Sequence, residues 1–233
     1  MQKYCLFIVA IAIAVVVVIV VRKKNILKGE WFRKLLHLVC IGILGGAVFL
    51  FPTWKEAVLS MAILVVVGFP ALKLLEKTDW FESFLAARRK GELAMSLIIV
   101  GVMFVIVDFV CEGILGSKLL VITSIYAWGP GDAVAALVGK KHGEHRLGRD
   151  KQKSLEGTAA MFITSFLCVV LLLYFYAGEL SLQIVLSAVV TAIVASFSEL
   201  FSKDGNDTII CPVSSMIALL FMLYITGNLK IMP

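Results

Sequence analysis

The sequence predicts an all-α, polytopic membrane protein of about eight transmembrane helices with both termini outside. Three observations carry that prediction. First, 61% of the 233 residues are hydrophobic, only 16% are charged, and mean hydropathy is +0.99. A soluble domain of this size exposes too much surface to be so apolar. Second, a bilayer core needs about 20 apolar residues per helix. Eight runs approach or reach that length, at 4–21, 35–51, 57–75, 93–110, 119–138, 158–178, 182–201 and 209–227. Third, the gaps 22–34, 73–92, 139–156 and 202–208 hold 6, 5, 6 and 1 Lys or Arg. The opposite side holds Lys3, Lys55, Lys118 and Lys230, four of the 22. Positive charge gathers on cytoplasmic loops, so this alternation orients every span.

Each span has its own logic. The first has Lys3 before its apolar core and Arg22-Lys23-Lys24 after it. A cleaved signal peptide carries its charge on the other side, so a retained helix with its N-terminus outside is expected. The second begins at Arg33-Lys34 and holds His37 one turn in. It ends at the tight turn Pro52-Thr53-Trp54-Lys55-Glu56, which opens the third. A long polar loop, 76–92, leads to the fourth and includes Arg88-Arg89-Lys90-Gly91-Glu92. The fifth contains Gly129-Pro130-Gly131 followed by Asp132. Proline lacks an N–H and glycine is flexible, so a broken helix is expected there. Loop 139–156 precedes the sixth span, for which Ser154 is a natural N-cap and Glu156 suits the positive end of the dipole. Gly178-Glu179-Leu180-Ser181 turns into the seventh, which carries Glu199 near its end. Asn206 and Asp207 sit where a turn would open the eighth. The short gaps leave one membrane domain and no soluble one.

Some functions are excluded. The net charge of +6 is explained by basic loops beside anionic head groups, with no nucleic acid needed. The five cysteines are scattered without metal or redox spacing. The formal sequon Asn206-Asp207-Thr208 falls on the cytosolic side, where it would not be used.

Four clusters of chemically able residues meet that same face. An ionisable group inside a span is costly, and function is the default hypothesis for it. Arg33, Lys34 and His37 form the first cluster, in which Arg33 and His37 share a helix face. Against a functional role stands simple anchoring of Arg33 or Lys34 at head groups. The second is Asp132 with the small residues up to Gly139 and then Lys140. Asp132 would also serve merely to cap a half-helix. The third is Lys151-Gln152-Lys153-Ser154-Leu155-Glu156-Gly157, where a lysine beside free helix N–H groups suits phosphate. Gln152 stands where a Walker loop has glycine, and soluble kinase signatures are absent. The fourth is Glu199 with Lys203-Asp204-Gly205-Asn206-Asp207 and Cys211-Pro212.

Arg33-Lys34-x-x-His37, the run Gly131-Asp132-Ala133 to Gly139, Lys153-Ser154-x-Glu156-Gly157, and Glu199 followed by Asn206-Asp207 and Pro212 together resemble the polyprenol and diacylglycerol kinase family. That family includes dolichol, phytol and CTP-dependent diacylglycerol kinases and is distantly similar to phosphatidate cytidylyltransferases. The resemblance covers 28–233 and leaves 1–27 as a peripheral first helix. The last block departs from it, with Asn206-Asp207-Thr208 where the family has Asp-Asn. The resemblance implies transfer of the terminal phosphate of a nucleotide, CTP by family habit, to the hydroxyl of an isoprenoid alcohol, polyprenol or diacylglycerol at the cytosolic face. Asp132, Asp207 and Asn206 are then candidate ligands of Mg²⁺ or another divalent cation. Arg33, Lys34, Lys140, Arg146, Lys153 and Ser154 are candidates for nucleotide and phosphate. Asp132, Lys153, Glu156 and His37 are candidates for catalysis, with His37 or Glu156 handling the acceptor hydroxyl. Glu92 and Glu199 are further candidates. The host membrane would be the plasma membrane in a prokaryote, and the endoplasmic reticulum or a plastid in a eukaryote. Two rival readings are a CDP-lipid-forming cytidylyltransferase and a small lipid transporter. A transporter would place polar groups at the midplane of related halves.

Overall fold

The computed structural model describes residues 2–78, 81, 84, 91–147, 153–202 and 205–227. The basic run Arg88-Arg89-Lys90, together with Lys151, Gln152, Lys203, Asp204 and Lys230, lies outside them. The eight apolar runs are eight helices: α1 (Gln2–Lys23), α2 (Glu30–Leu50), α3 (Trp54–Leu75), α4 (Glu92–Asp108), α5 (Lys118–His142), α6 (Leu155–Ala177), α7 (Leu182–Phe201) and α8 (Asp207–Ile225). α4 continues into a π-helix, Phe109–Ile114. With that extension all eight are long and apolar enough to cross a membrane. Exposed Phe175, Leu182, Phe201 and Tyr224 fit a surface solvated by lipid. The chain is a multi-pass membrane protein.

The chain forms two compact units, 1–105 and 106–233. In the first, α1 packs on α2 and α2 on α3. Tyr4 and Phe7 fix the α1 contact, their rings 4.9 and 5.4 Å from that of Phe51. At the basic end the Arg22 guanidinium lies 5.0 Å over the Phe32 ring. Glu76 reaches across the polar connection to α4. Its Oε1 accepts the N–H groups of Leu93 at 2.9 Å and Ala94 at 3.1 Å. These are orphan donors of a helix start, and a carboxylate there also meets the positive end of the dipole.

In the second unit α5 packs on α6, α6 on α7, α7 on α8, and α8 back on α5. This closed four-helix arrangement buries most of α5, from Leu120 through Ala135. Short polar side chains start the helices. Ser117, Ser154 and Ser181 accept the N–H of Leu120, Gly157 and Ile184 respectively. Gly178 ends α6 at φ +74°, a conformation open to glycine without strain.

The expected break at Gly129-Pro130-Gly131 is absent: α5 runs unbroken through it. Proline removes one hydrogen bond, and packing on neighbouring helices supplies what that loss costs. Gly131 answers to packing rather than flexibility. A Cβ there would lie 2.8 Å from Ser165 Oγ and 3.1 Å from Met161 Cγ. Asp132 is therefore mid-helix and caps nothing. A second difference is a two-residue antiparallel ladder, β1 (Arg146–Leu147) with β2 (Lys153–Ser154), between α5 and α6. It lies within loop 139–156.

Candidate active site

At the basic end of the second unit, residues from four elements converge on one ammonium group. Lys153 stands on β2, immediately before α6. Its Nζ contacts Glu199 Oε1, which comes from the last turn of α7, 46 residues away. Asp132 on α5 and Asp207 at the first residue of α8 both act on the same ammonium. Glu199 is 4% exposed and Asp132 6%. Burial pulls the Lys153 pKa down, but the charge of Glu199 and its hydrogen bond, then Asp207 and Asp132, raise it by more. The net shift is upward and the lysine stays charged. Buried Cys211, the residue before Pro212, lies within the field of all four groups and closes the cluster from α8.

Glycines bring these elements together. A Cβ on Gly157 would lie 2.9 Å from the Ala135 carbonyl oxygen and 3.3 Å from Gly139 Cα. A Cβ on Gly139 would lie 2.9 Å from Ser154 Oγ. The backbones of α5 and α6 thus meet closely where Lys153 enters the site. Ser198 and Ser214 share a 2.7 Å hydrogen bond between α7 and α8, next to Glu199.

Ser154 is buried, and its hydroxyl accepts the Gly157 N–H at 3.1 Å. The capping role is present, and the hydroxyl keeps its own O–H for donation. Glu156 accepts from the His145 backbone N–H at 3.2 Å and meets His145 Nδ1 at 2.7 Å, both through Oε1. Its Oε2 is buried without a hydrogen bond among the described residues. Lys140, in the last turn of α5, and Arg146, on β1, are exposed at the same end. Arg146 pairs in register with Ser154. Asn206 is an exposed N-cap residue whose side chain makes no cap bond, while Asp207 Oδ1 accepts the Thr208 N–H at 3.0 Å.

The remaining candidates belong to the first unit. Arg33 pairs with Glu30 at 3.1 Å, one turn back on α2. Lys34 is buried and His37 half-buried. Glu92 is the first residue of α4.

Sequence reasoning missed several polar groups. Asp108 is fully buried with both oxygens lacking a hydrogen bond among the described residues, and Glu112 lies 3.9 Å from Lys118. Both acids sit at the opposite end of the span from Glu92. An acid inside an apolar run is itself the signal that would have found Asp108. Glu76 and His145 gave no such signal, because their partners are set by tertiary return of the chain.

Among the described residues, no three or more His, Cys, Asp or Glu side chains converge closely enough to hold a metal by themselves. Mg²⁺ characteristically takes one or two carboxylates and completes its shell with water and substrate phosphate. One or two of Asp132, Glu199 and Asp207 would fit that partial donor set.

Comparison with known proteins gives one partial likeness. The chain is 38% identical over 92 residues to the phytol kinase of Synechocystis sp., a match spanning 39% of this chain and 38% of the relative. It supports the polyprenol and phytol kinase family. No family model and no solved structure matches the chain.

Proposed function

We propose that this protein is a membrane lipid kinase. It transfers the terminal phosphate of a nucleotide, CTP in preference to ATP, to the hydroxyl of a membrane-dissolved alcohol. The acceptor class is an isoprenoid alcohol, a polyprenol or diacylglycerol, and the reaction takes place at the membrane face bearing the basic loops. The observation that carries this reading is the convergence of Asp132, Glu199 and Asp207 on Lys153 at that end of the bundle. The partial likeness to a phytol kinase supports it.

Phosphoryl transfer asks little covalent chemistry of the protein and much positioning and charge. The hydroxyl oxygen bonds to the terminal phosphorus, the bond to the bridging oxygen breaks, and the nucleoside diphosphate leaves. Lys153, with exposed Lys140 and Arg146 nearby in sequence, supplies positive charge for the phosphates. Arg33 and Lys34 remain candidates from the first unit. Asp132 and Asp207, aided by Asn206, would hold a divalent cation, which supplies charge neutralisation across the phosphates. Glu156 is the candidate for the hydroxyl proton: His145 fixes Oε1, and Oε2 is left to accept. His37 is the alternative.

The test is to incubate purified protein with CTP or ATP, labelled in the terminal phosphate, and a panel of lipid alcohols. Label in the lipid, with CTP outcompeting ATP, is the expected result. Transfer of the nucleotidyl group to a lipid phosphate would establish a cytidylyltransferase instead. No turnover with any acceptor would favour transport.

A further inference from the structure

Glu199 does more than line the site. Its carboxylate is the immediate partner of Lys153, and both oxygens sit in a buried environment beside Asp132 and Asp207. The Lys153 ammonium has three N–H donors but one charge, so a phosphate that draws on that charge leaves Glu199 undercompensated. Removing one partner of a buried ion pair leaves an uncompensated charge, which is strongly unfavourable. A nucleotide arriving alone would strand Glu199 in that way, and would bring its own negative phosphates next to three carboxylates. A divalent cation arriving alone would meet the Lys153 ammonium already in contact with Glu199. When both arrive together the exchange balances: the ammonium passes to phosphate as the cation takes the carboxylate.

We propose that Glu199 is a latch on Lys153 that makes nucleotide and divalent cation bind as one unit, each poorly without the other. This rests on the nucleotide-kinase reading above and deepens it. Glu199 then serves as a positioning residue in the resting protein and as a cation ligand in the loaded one.

The test measures equilibrium binding, separate from turnover. Labelled CTP is titrated into the purified full-length protein with MgCl₂ and again with EDTA. Wild type should bind roughly a hundredfold or more weakly without the metal, the scale set by stranding a buried charge. Glu199→Gln keeps a hydrogen-bond acceptor for Lys153 but no charge. Its two affinities should converge to within about tenfold, and Glu199→Asp should restore the gap. An unchanged metal dependence in Glu199→Gln overturns the latch while leaving the kinase reading intact. Absence of CTP binding by wild type under both conditions overturns both. A second measurement stands even if the glutamine variant does not fold. Mg²⁺ alone should raise the thermal unfolding midpoint of Lys153→Met, in which Glu199 is no longer engaged by the Lys153 ammonium, and leave wild type unmoved. Equal shifts in the two proteins overturn the proposal.

Discussion

Gly157→Ala is the sharpest test of how the site is held. The new methyl would lie 2.9 Å from the Ala135 carbonyl oxygen, 3.2 Å from Ser154 Oγ and 3.3 Å from Gly139 Cα. Two of these three atoms are backbone, and the carbonyl is fixed in the middle of α5. Only a shift of α6 away from α5 relieves the contact. Overpacking of this kind costs about 1–3 kcal/mol. For a chain of this size each kcal/mol lowers the melting midpoint by about 2–4 °C. The same shift moves Lys153, two residues before α6 begins, relative to Asp132. A misplacement of about 1 Å can cost a hundredfold in rate, so a shift of a few tenths of an ångström should lower phosphate transfer by roughly tenfold. The assays are thermal unfolding in detergent and steady-state turnover on the same preparation. Gly42→Ala is the control of opposite sign, because a Cβ there meets nothing within 4 Å. In a helix interior that change should raise stability by up to about 1 kcal/mol. If Gly157→Ala melts and turns over like wild type, the close approach of α5 and α6 does not hold the site.

Asp132→Asn and Lys153→Ala should each lower turnover by about a hundredfold or more. The double variant should be little worse than either, since residues acting as a unit are not additive; near-normal activity in both folded single variants removes them from the site. Ser154→Ala should cost about 1 kcal/mol of stability through loss of the α6 cap and far less turnover than Lys153→Ala. Equal losses in turnover would put the serine on the phosphate after all. With both termini outside, cysteine labelling at Lys151 and at Glu179 should report opposite membrane faces, with Lys151 cytosolic, and labelling of both from one side refutes the orientation. Because its net shift is upward, the Lys153 ion pair should contribute its full stability below the ordinary lysine pKa of about 10.4, over the range in which Glu199 is ionised. That contribution should be lost only as pH rises through the higher folded value. A pH–melting series against Lys153→Met checks this, and convergence of the two curves near neutral pH would refute it.

The helices were legible because a run of some twenty apolar residues has few structural options in lipid. The Ser154 cap was legible because capping is local. Ser154 precedes Gly157 by three residues, and that spacing alone brings hydroxyl to N–H. The continuity of α5 was not legible. Gly-Pro-Gly reads as a break in isolation, whereas Met161 and Ser165, 30 or more residues on, decide that Gly131 is a packing surface. Likewise the sequence put Lys153 and Asp132 at one face but left Glu199 a secondary candidate. Its contact with Lys153 depends on how α6 and α7 return to the same end. His145 escaped notice for the same reason, since a two-residue ladder and one carboxylate bring it to Glu156.

The Glu76 clasp has a practical consequence. By accepting the N–H groups of Leu93 and Ala94 from the end of α3, this carboxylate ties the two ends of a connection together. The end of α3 and the start of α4 are thereby joined by a contact of their own, in addition to the chain between them. Glu76→Gln, which removes the charge that meets the α4 dipole, should therefore loosen the start of α4 while leaving both helices formed.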